Sequence, residues 1–206
     1  MRANTLLPLD YDLLSRIDFP YKKITGIGLP VASFFLFFAS GWLFKLLAAA
    51  LNPAFINIES LTMTPLLLVI ALVLLALTLL LVVVLHEIIH GLFFWLFTHD
   101  RPAFGFRGPY ACACSPHWYI PRNQFLLVSL SPLVLLTFVG CLLFPLTPSP
   151  ISILLVTALA LNVAGSVRDL FLVGWMLTKP SASFIHDAGN GIHLYRPCAN
   201  DRRIRA

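Results

Sequence analysis

Long runs without charge constrain this chain more than any other feature of its sequence. The stretch from Pro65 to Leu85 contains no charged residue and a single polar side chain, Thr78. About 20 apolar residues suffice to cross the hydrocarbon core of a bilayer as a helix. Four stretches meet this condition, and they predict membrane helices over about 29–51, 65–97, 125–144 and 150–177. Because only 11% of the residues are charged, against roughly 25% in soluble domains, the bilayer is the expected main solvent.

Local signals mark the ends of these helices and the structure between them. Proline follows an N-cap residue at Thr64-Pro65 and at Ser149-Pro150, which is typical of a helix start. In the loop 98–124, two short strands flank Gly108-Pro109, with a further strand at 192–195. The predicted fold class is therefore an all-α polytopic membrane protein, with four transmembrane helices and a small cytoplasmic β-hairpin. No internal repeat divides the chain, so residues 1–206 are expected to form a single domain.

The positive charge of the chain is distributed asymmetrically. The N-terminal segment, the loop 98–124 and the tail 178–206 carry every lysine and arginine outside the predicted helices, and the other two connections carry none. Lysine and arginine beside membrane helices mark the cytoplasmic side. We therefore expect both termini and the loop 98–124 to face the cytoplasm, in the cell membrane. The net charge of +5 is attributed to contact with the lipid bilayer rather than with nucleic acid.

The second predicted helix contains the sequence His86-Glu87-Ile88-Ile89-His90. Residues four apart lie about one turn apart on the same helix face, so both histidines can bind one metal ion with Glu87 beside them. This spacing is typical of zincins, in which the glutamate accepts a proton from the attacking water. Short motifs also occur by chance, but an acidic residue inside a membrane helix costs about 2.5 to 3.5 kcal/mol and indicates function. The pattern predicts a Zn²⁺ site that involves His86 and His90.

A catalytic zinc usually has three protein ligands, so a third ligand must come from elsewhere in the chain. The only other glutamate, Glu59, precedes the motif, and Phe93 and Leu96 occupy the glycine and histidine positions of the extended motif. The candidate is Asp169, within the fourth apolar stretch. A salt bridge to Arg168 is the structural alternative, but adjacent helical residues diverge by about 100°.

Depth along the helices supports Asp169 as the partner of the two histidines. Both helices are predicted to run from outside to inside, starting at Pro65 and at Pro150. At about 1.5 Å per residue, His86 lies about 31 Å from its helix start and Asp169 about 28 Å from its own. The two side chains could therefore meet near the cytoplasmic face. A second metal site at Cys112, Cys114 and His117 is disfavoured, because the spacing of its cysteines is too short for a structural zinc site.

Taken together, these residues resemble a bacterial family of membrane proteins described as zincin peptidases. The resemblance covers most of the chain. Its motifs are the His86 to His90 segment, Phe104-Gly-Phe106, Tyr110 to Ser115, Arg122-Asn-Gln-Phe125, Asn162 to Asp169, and Asp187 to Pro197. The layout is also similar to that of site-2 proteases, which pair a histidine motif on one helix with an asparagine-to-aspartate motif on a later one.

The resemblance implies metal ligands at His86, His90 and Asp169, a general base at Glu87 and an oxyanion donor at Asn162. It implies a membrane-embedded zinc metallopeptidase acting on membrane or membrane-proximal protein substrates near the cytoplasmic face. No proline interrupts Asn162 to Asp169 and Leu170 replaces a glycine, so intramembrane and juxtamembrane cleavage both stay open. Two other functions are kept as alternatives, a non-catalytic metal-binding scaffold and a metal transporter, since intramembrane histidine and aspartate also suit transport.

The charge asymmetry and the even number of crossings predict that the C-terminus lies in the cytoplasm. An alkaline-phosphatase fusion at Ala206 is therefore expected to be inactive, because the enzyme folds only outside the cytoplasm, and a fluorescent-protein fusion at the same residue is expected to be bright. An active phosphatase at Ala206 would reverse the topology and move the metal site to the opposite face.

Overall fold

The computed structural model describes residues 1–18, 23–52, 55, 64–107, 110–187 and 191–198. The elements in chain order are β1 (Tyr11–Asp18), α1 (Lys23–Leu51), α2 (Pro65–Thr98), β2 (Ala103–Arg107), β3 (Tyr110–Cys114), β4 (Tyr119–Pro121), α3 (Arg122–Leu143), a 3₁₀ turn (Phe144–Leu146), α4 (Ser149–Gly165), α5 (Val167–Leu177), β5 (Phe184–Asp187) and β6 (Gly191–Pro197).

Within the part of the chain that the structure describes, four helical spans are long and apolar enough to cross a membrane: Ile27–Leu51, Pro65–Thr98, Arg122–Leu146 and Ile151–Leu177. They confirm the four predicted stretches and define a multi-pass membrane protein. The start of α2 follows the predicted signal, because the Thr64 hydroxyl accepts a hydrogen bond from the Leu67 amide at 3.3 Å. The third span begins earlier than predicted, at Arg122, directly after β4.

The fourth span was predicted as one helix over 150–177; one apolar span is found there, Ile151–Leu177, and it is interrupted at Ser166. Helix α4 ends at Gly165 and α5 starts at Val167. The Ser166 hydroxyl donates to the Asn162 carbonyl at 2.8 Å, and the Ser166 amide donates to the same oxygen at 3.0 Å. A hydroxyl that bonds the carbonyl one turn back bends a helix. Asp169 lies in the first turn of α5, just after this break.

A four-stranded antiparallel sheet in the order β1-β6-β5-β4 corrects the prediction of an all-α protein with one hairpin. Only β6 was expected, as a strand over 192–195. The other strands were missed because they are short or, like β1, pair with residues far away in the chain: Tyr11 pairs with Pro197. Such distant pairing leaves no local sequence signal.

The predicted hairpin is confirmed as a separate two-stranded sheet of β2 and β3. Its register pairs Phe104 with Ala113 and Gly105 with Cys112. The expected turn at Gly108-Pro109 lies outside the described residues. The hairpin packs on α2, where a side chain at Gly91 would meet the Phe104 ring at 2.5 Å. Glycine at this position therefore lets the hairpin approach the helix face that carries the histidines.

Two buried apolar clusters hold the helices in place. The larger joins the inner face of the four-stranded sheet to the ends of α2, α3 and α5, through Phe94, Ile120, Phe125, Val128, Leu172, Met176, Ile185, Ile192 and Leu194. The smaller packs α1 on α4 and on the 3₁₀ turn, through Phe44, Ala48, Phe144 and Leu159. The first cluster lies beside the candidate site, so the sheet supports the helix ends from which the site is built.

Candidate metal centre

The histidine motif lies in the C-terminal half of α2, where His86 and His90 are both 8% exposed. The helix is regular through the motif, so the two imidazoles project from one face with ring centroids 4.8 Å apart. Both rings point into the protein, toward α3 and the α4–α5 break, and Ile88 between them is half exposed on the outer surface. The motif therefore directs its polar groups inward and its apolar groups toward lipid.

Helix α5 brings Asp169 to the same point. Its Oδ2 atom lies 3.1 Å from His86 Nε2 and 3.5 Å from His90 Nε2. The two Nε2 atoms are themselves 3.1 Å apart. Among the described residues, this is the one group of three histidine, cysteine or acidic side chains close enough to hold a metal ion, with ligand atoms within 4.8 Å of one another.

Hydrogen bonds on the far side of each ring determine which nitrogen carries the proton. His90 Nδ1 lies 2.9 Å from the Val128 carbonyl, which can only accept. His86 Nδ1 lies 3.1 Å from Asn162 Oδ1, and the amide nitrogen of Asn162 donates to the Pro132 carbonyl at 3.3 Å. Both histidines therefore carry the proton on Nδ1, and each Nε2 presents a lone pair to the centre of the group.

When both rings are neutral with the proton on Nδ1, the three converging atoms are all acceptors. Such an arrangement is repulsive unless a cation lies among them, and lone pairs of imidazole and carboxylate are the ligands zinc prefers. Tetrahedral zinc with bonds of about 2.0 to 2.1 Å separates its ligands by about 3.3 Å. The observed separations of 3.1 to 3.5 Å fit this value. The residues present therefore suit a zinc ion with three protein ligands.

Glu87 does not belong to the cluster of three. Its Oε2 accepts a hydrogen bond from the Ala113 amide of β3 at 2.6 Å. This contact holds the carboxylate beside the histidines and beneath the hairpin. It also shows that the Ala113 N–H points away from β2, toward α2.

A cavity of about 820 Å³ surrounds these groups. Its walls are apolar side chains of α1 and α2, the edge of β3 and parts of α3 and α5. The polar side chains that reach it include His86, Glu87, His90, Ser129, Arg168, Asp169 and Asp187. A large apolar cavity with a few convergent polar groups is typical of a substrate site.

Three findings go beyond the sequence interpretation. Asn162 is 1% exposed and uses both ends of its amide on His86 and Pro132, so its position is that of a support for the histidine. Arg168 lines the cavity, and Asp187 of β5, which is 7% exposed, lines it too. The Val128 carbonyl and the Ala113 amide have no side-chain signature that a sequence could display.

Asp100, the first acidic residue after the motif in the sequence, forms its hydrogen bonds away from the cluster. Its carboxylate accepts from the Trp118 indole at 3.1 Å and from the Arg101 amide at 2.8 Å. These two hydrogen bonds, the one from Trp118 first, hold the pKa of Asp100 below its ordinary value. Asp100 therefore stabilises the turn after α2.

The fold and the site together define a multi-pass membrane protein with a zincin-type motif in the C-terminal half of its second span. The chain belongs to the family described as "Putative zincin peptidase", whose model matches residues 79–184, just over half of the chain. The matched segment runs from within α2 to the first residue of β5, and so includes both histidines and Asp169. Membership indicates a zinc-dependent peptidase. No curated protein and no solved structure matches the chain.

The geometry predicts that the Asp169 carboxylate is the third protein ligand of the zinc ion. In Asp169→Ala, zinc affinity is expected to fall by more than about 100-fold, the upper end for loss of an outer partner of a metal ligand. Asp100→Ala and Asp187→Ala are expected to keep zinc, because neither carboxylate belongs to the cluster of three. Zinc content and competition with a chromophoric chelator, measured on detergent-purified protein, check this. Zinc loss in Asp187→Ala with retention in Asp169→Ala would contradict the assignment.

Proposed function

We propose that this protein is a membrane-embedded zinc metallopeptidase that hydrolyses peptide bonds of membrane or membrane-proximal proteins, close to the cytoplasmic face. The observation that carries the proposal is the meeting of His86 Nε2, His90 Nε2 and Asp169 Oδ2 within 3.1 to 3.5 Å. Glu87 stands beside this group and outside it. The family supports peptidase chemistry, and the charge asymmetry supports the cytoplasmic side.

Bound zinc would lower the pKa of a water molecule and polarise the substrate carbonyl. Glu87 is the residue suited to take the proton from that water, because its carboxylate lies next to the histidines and lines the cavity. One of its oxygens is held by the Ala113 amide at 2.6 Å, which leaves the other for the water. The same carboxyl can then deliver the proton to the leaving amide nitrogen.

The contact of Glu87 favours peptidase over the two alternatives. A transporter would use Glu87 as a further ligand for its cargo, yet this carboxylate bonds a backbone amide and lies outside the ligand cluster. A scaffold would need neither the acidic side chain nor the cavity around it. A partly buried acid beside three ligands is what hydrolysis requires, because the water must lose a proton as it attacks.

The edge of β3 that faces away from β2 is suited to hold a substrate in extended form. Amides alternate in direction along an antiparallel strand, so Ala111, two residues from Ala113, also directs its N–H away from β2. Both alanines line the cavity, and their small side chains leave room for another strand. A peptide added at this edge would receive main-chain hydrogen bonds and lie across the metal cluster.

Glu87→Gln is expected to keep zinc and to lose cleavage, because the amide retains an oxygen for Ala113 but cannot accept the proton of water. The measurement compares new protein N-termini in membranes of cells that carry the wild type with those of cells that carry the variant. Peptides present in the first and absent in the second identify cleavage. An unchanged set of N-termini, with zinc bound in both, would refute the peptidase mechanism.

Ala111→Pro is expected to impair cleavage and leave zinc bound, because proline removes an N–H from the edge of β3 that faces away from β2 without touching a ligand. Cys112→Pro is the matched contrast, since its N–H belongs to the ladder with β2 and its loss should disturb the hairpin itself. The readout is cleavage of a substrate found with the Glu87→Gln comparison. Normal cleavage by Ala111→Pro would exclude strand addition at this edge.

A further inference from the structure

Helix α3 contains a proline in its interior, Pro132, which is among the fully buried residues of the protein. In an α-helix each carbonyl accepts from the amide four residues later, and proline has no amide hydrogen. The carbonyl four residues before Pro132 is that of Val128. This oxygen therefore lacks its helical donor, in a buried setting where an unpaired carbonyl is costly.

The Val128 carbonyl accepts hydrogen bonds from side chains at the metal site instead. Val128 O accepts from His90 Nδ1 at 2.9 Å and from the Ser131 hydroxyl at 2.8 Å. A carbonyl oxygen has two lone pairs, so these two donors complete its capacity. The Val128 carbonyl thus orients the His90 ring and accepts from its Nδ1–H, and this oxygen is available because residue 132 is proline.

The carbonyl of Pro132 supports the other histidine. It accepts from the Asn162 amide at 3.3 Å, which turns the amide oxygen of Asn162 toward His86 Nδ1 at 3.1 Å. Pro132 therefore influences the orientation of both histidines. It acts on His90 through the Val128 carbonyl and on His86 through Asn162. Helix α3 contributes no ligand, yet it fixes the orientation of two.

We propose that Pro132 is a positioning residue of the zinc site, whose missing amide hydrogen keeps the Val128 carbonyl available to His90. The inference rests on the proposed zinc site and goes beyond it. Partners of this kind set the ring orientation and tautomer of a metal-binding histidine, and their loss costs about 10- to 100-fold in metal affinity. A proline that only bends α3 would have no such effect on the histidine.

The first test is Pro132→Ala. The new backbone N–H at residue 132 is a third hydrogen-bond donor to the Val128 carbonyl oxygen, which has two lone pairs. The restored helical bond competes with His90, so zinc affinity is expected to fall by about 10- to 100-fold. The second test is the double variant Ser131→Ala/Pro132→Ala, which returns the number of donors to two. It is expected to recover most of the lost affinity, and Ser131→Ala alone is expected to stay near the wild type.

A spectroscopic readout separates this role from a general effect on folding. In histidine ¹⁵N NMR spectra of the zinc-free protein, His90 is expected to show a protonated, hydrogen-bonded Nδ1 in the wild type and in the double variant. The signature is expected to weaken in Pro132→Ala. Replacing Pro132 by lactic acid, which removes the ring and supplies no N–H, is expected to preserve it and the zinc affinity.

Two outcomes would overturn the proposal. One is wild-type zinc affinity in Pro132→Ala, and the other is equal loss in Pro132→Ala and in the lactic acid variant, since the ring alone would then matter. If Pro132→Ala does not fold, the His90 spectrum of the lactic acid variant tests the proposal. Loss of the hydrogen-bonded Nδ1 signature in that variant would then overturn it. The peptidase proposal fails separately: protein that binds zinc but cleaves nothing would leave the role of Pro132 unaffected, because both readouts are independent of activity.

Discussion

Two imidazole nitrogens and a carboxylate oxygen meet inside this protein with only lone pairs directed at one another. In this arrangement the Nδ1 proton of His90 bonds the Val128 carbonyl, and the Nδ1 proton of His86 bonds the Asn162 side chain. Neither proton therefore lies between the ligand atoms. In a hydrocarbon environment an unsatisfied polar group costs several kcal/mol. A cation among the three atoms satisfies them at once, so folding of α2, α3 and α5 against one another and metal binding are expected to be coupled.

The departures from regular helix occur where the site needs polar backbone. Pro132 in α3 releases a carbonyl for His90, and the break at Ser166 separates α4 from α5 just before Asp169. Irregular backbone within a membrane is tolerated where it is buried in protein or lines a cavity. Here both conditions hold, since Ser166 and Pro132 are fully buried and the cavity adjoins the histidines.

The two small sheets complete the site from outside the helices. The four-stranded sheet packs Ile185 and Leu194, both fully buried, on the ends of α3 and α5, which fixes the direction in which Asp169 points. The hairpin lies on α2, and its Ala113 amide donates a hydrogen bond to the Glu87 carboxylate. The three side chains of the cluster come from the apolar helices, and the amide that holds Glu87 comes from a strand. The proposed peptidase would use both, because a membrane-protein substrate must leave lipid and become extended.

The sequence alone determined the four spans, because apolar length is a local property, and placed His86, Glu87 and His90 together, because helix spacing is local as well. Elimination among the few acidic residues pointed to Asp169. The tertiary structure decided the rest: the four-stranded sheet, whose strands pair across nearly the whole chain, and the part played by Asn162, which faces His86 rather than the cavity. It also decided which backbone groups orient the histidines and the glutamate. A carbonyl or an amide is the same at every residue, so only its position in space, set by packing, gives it a function.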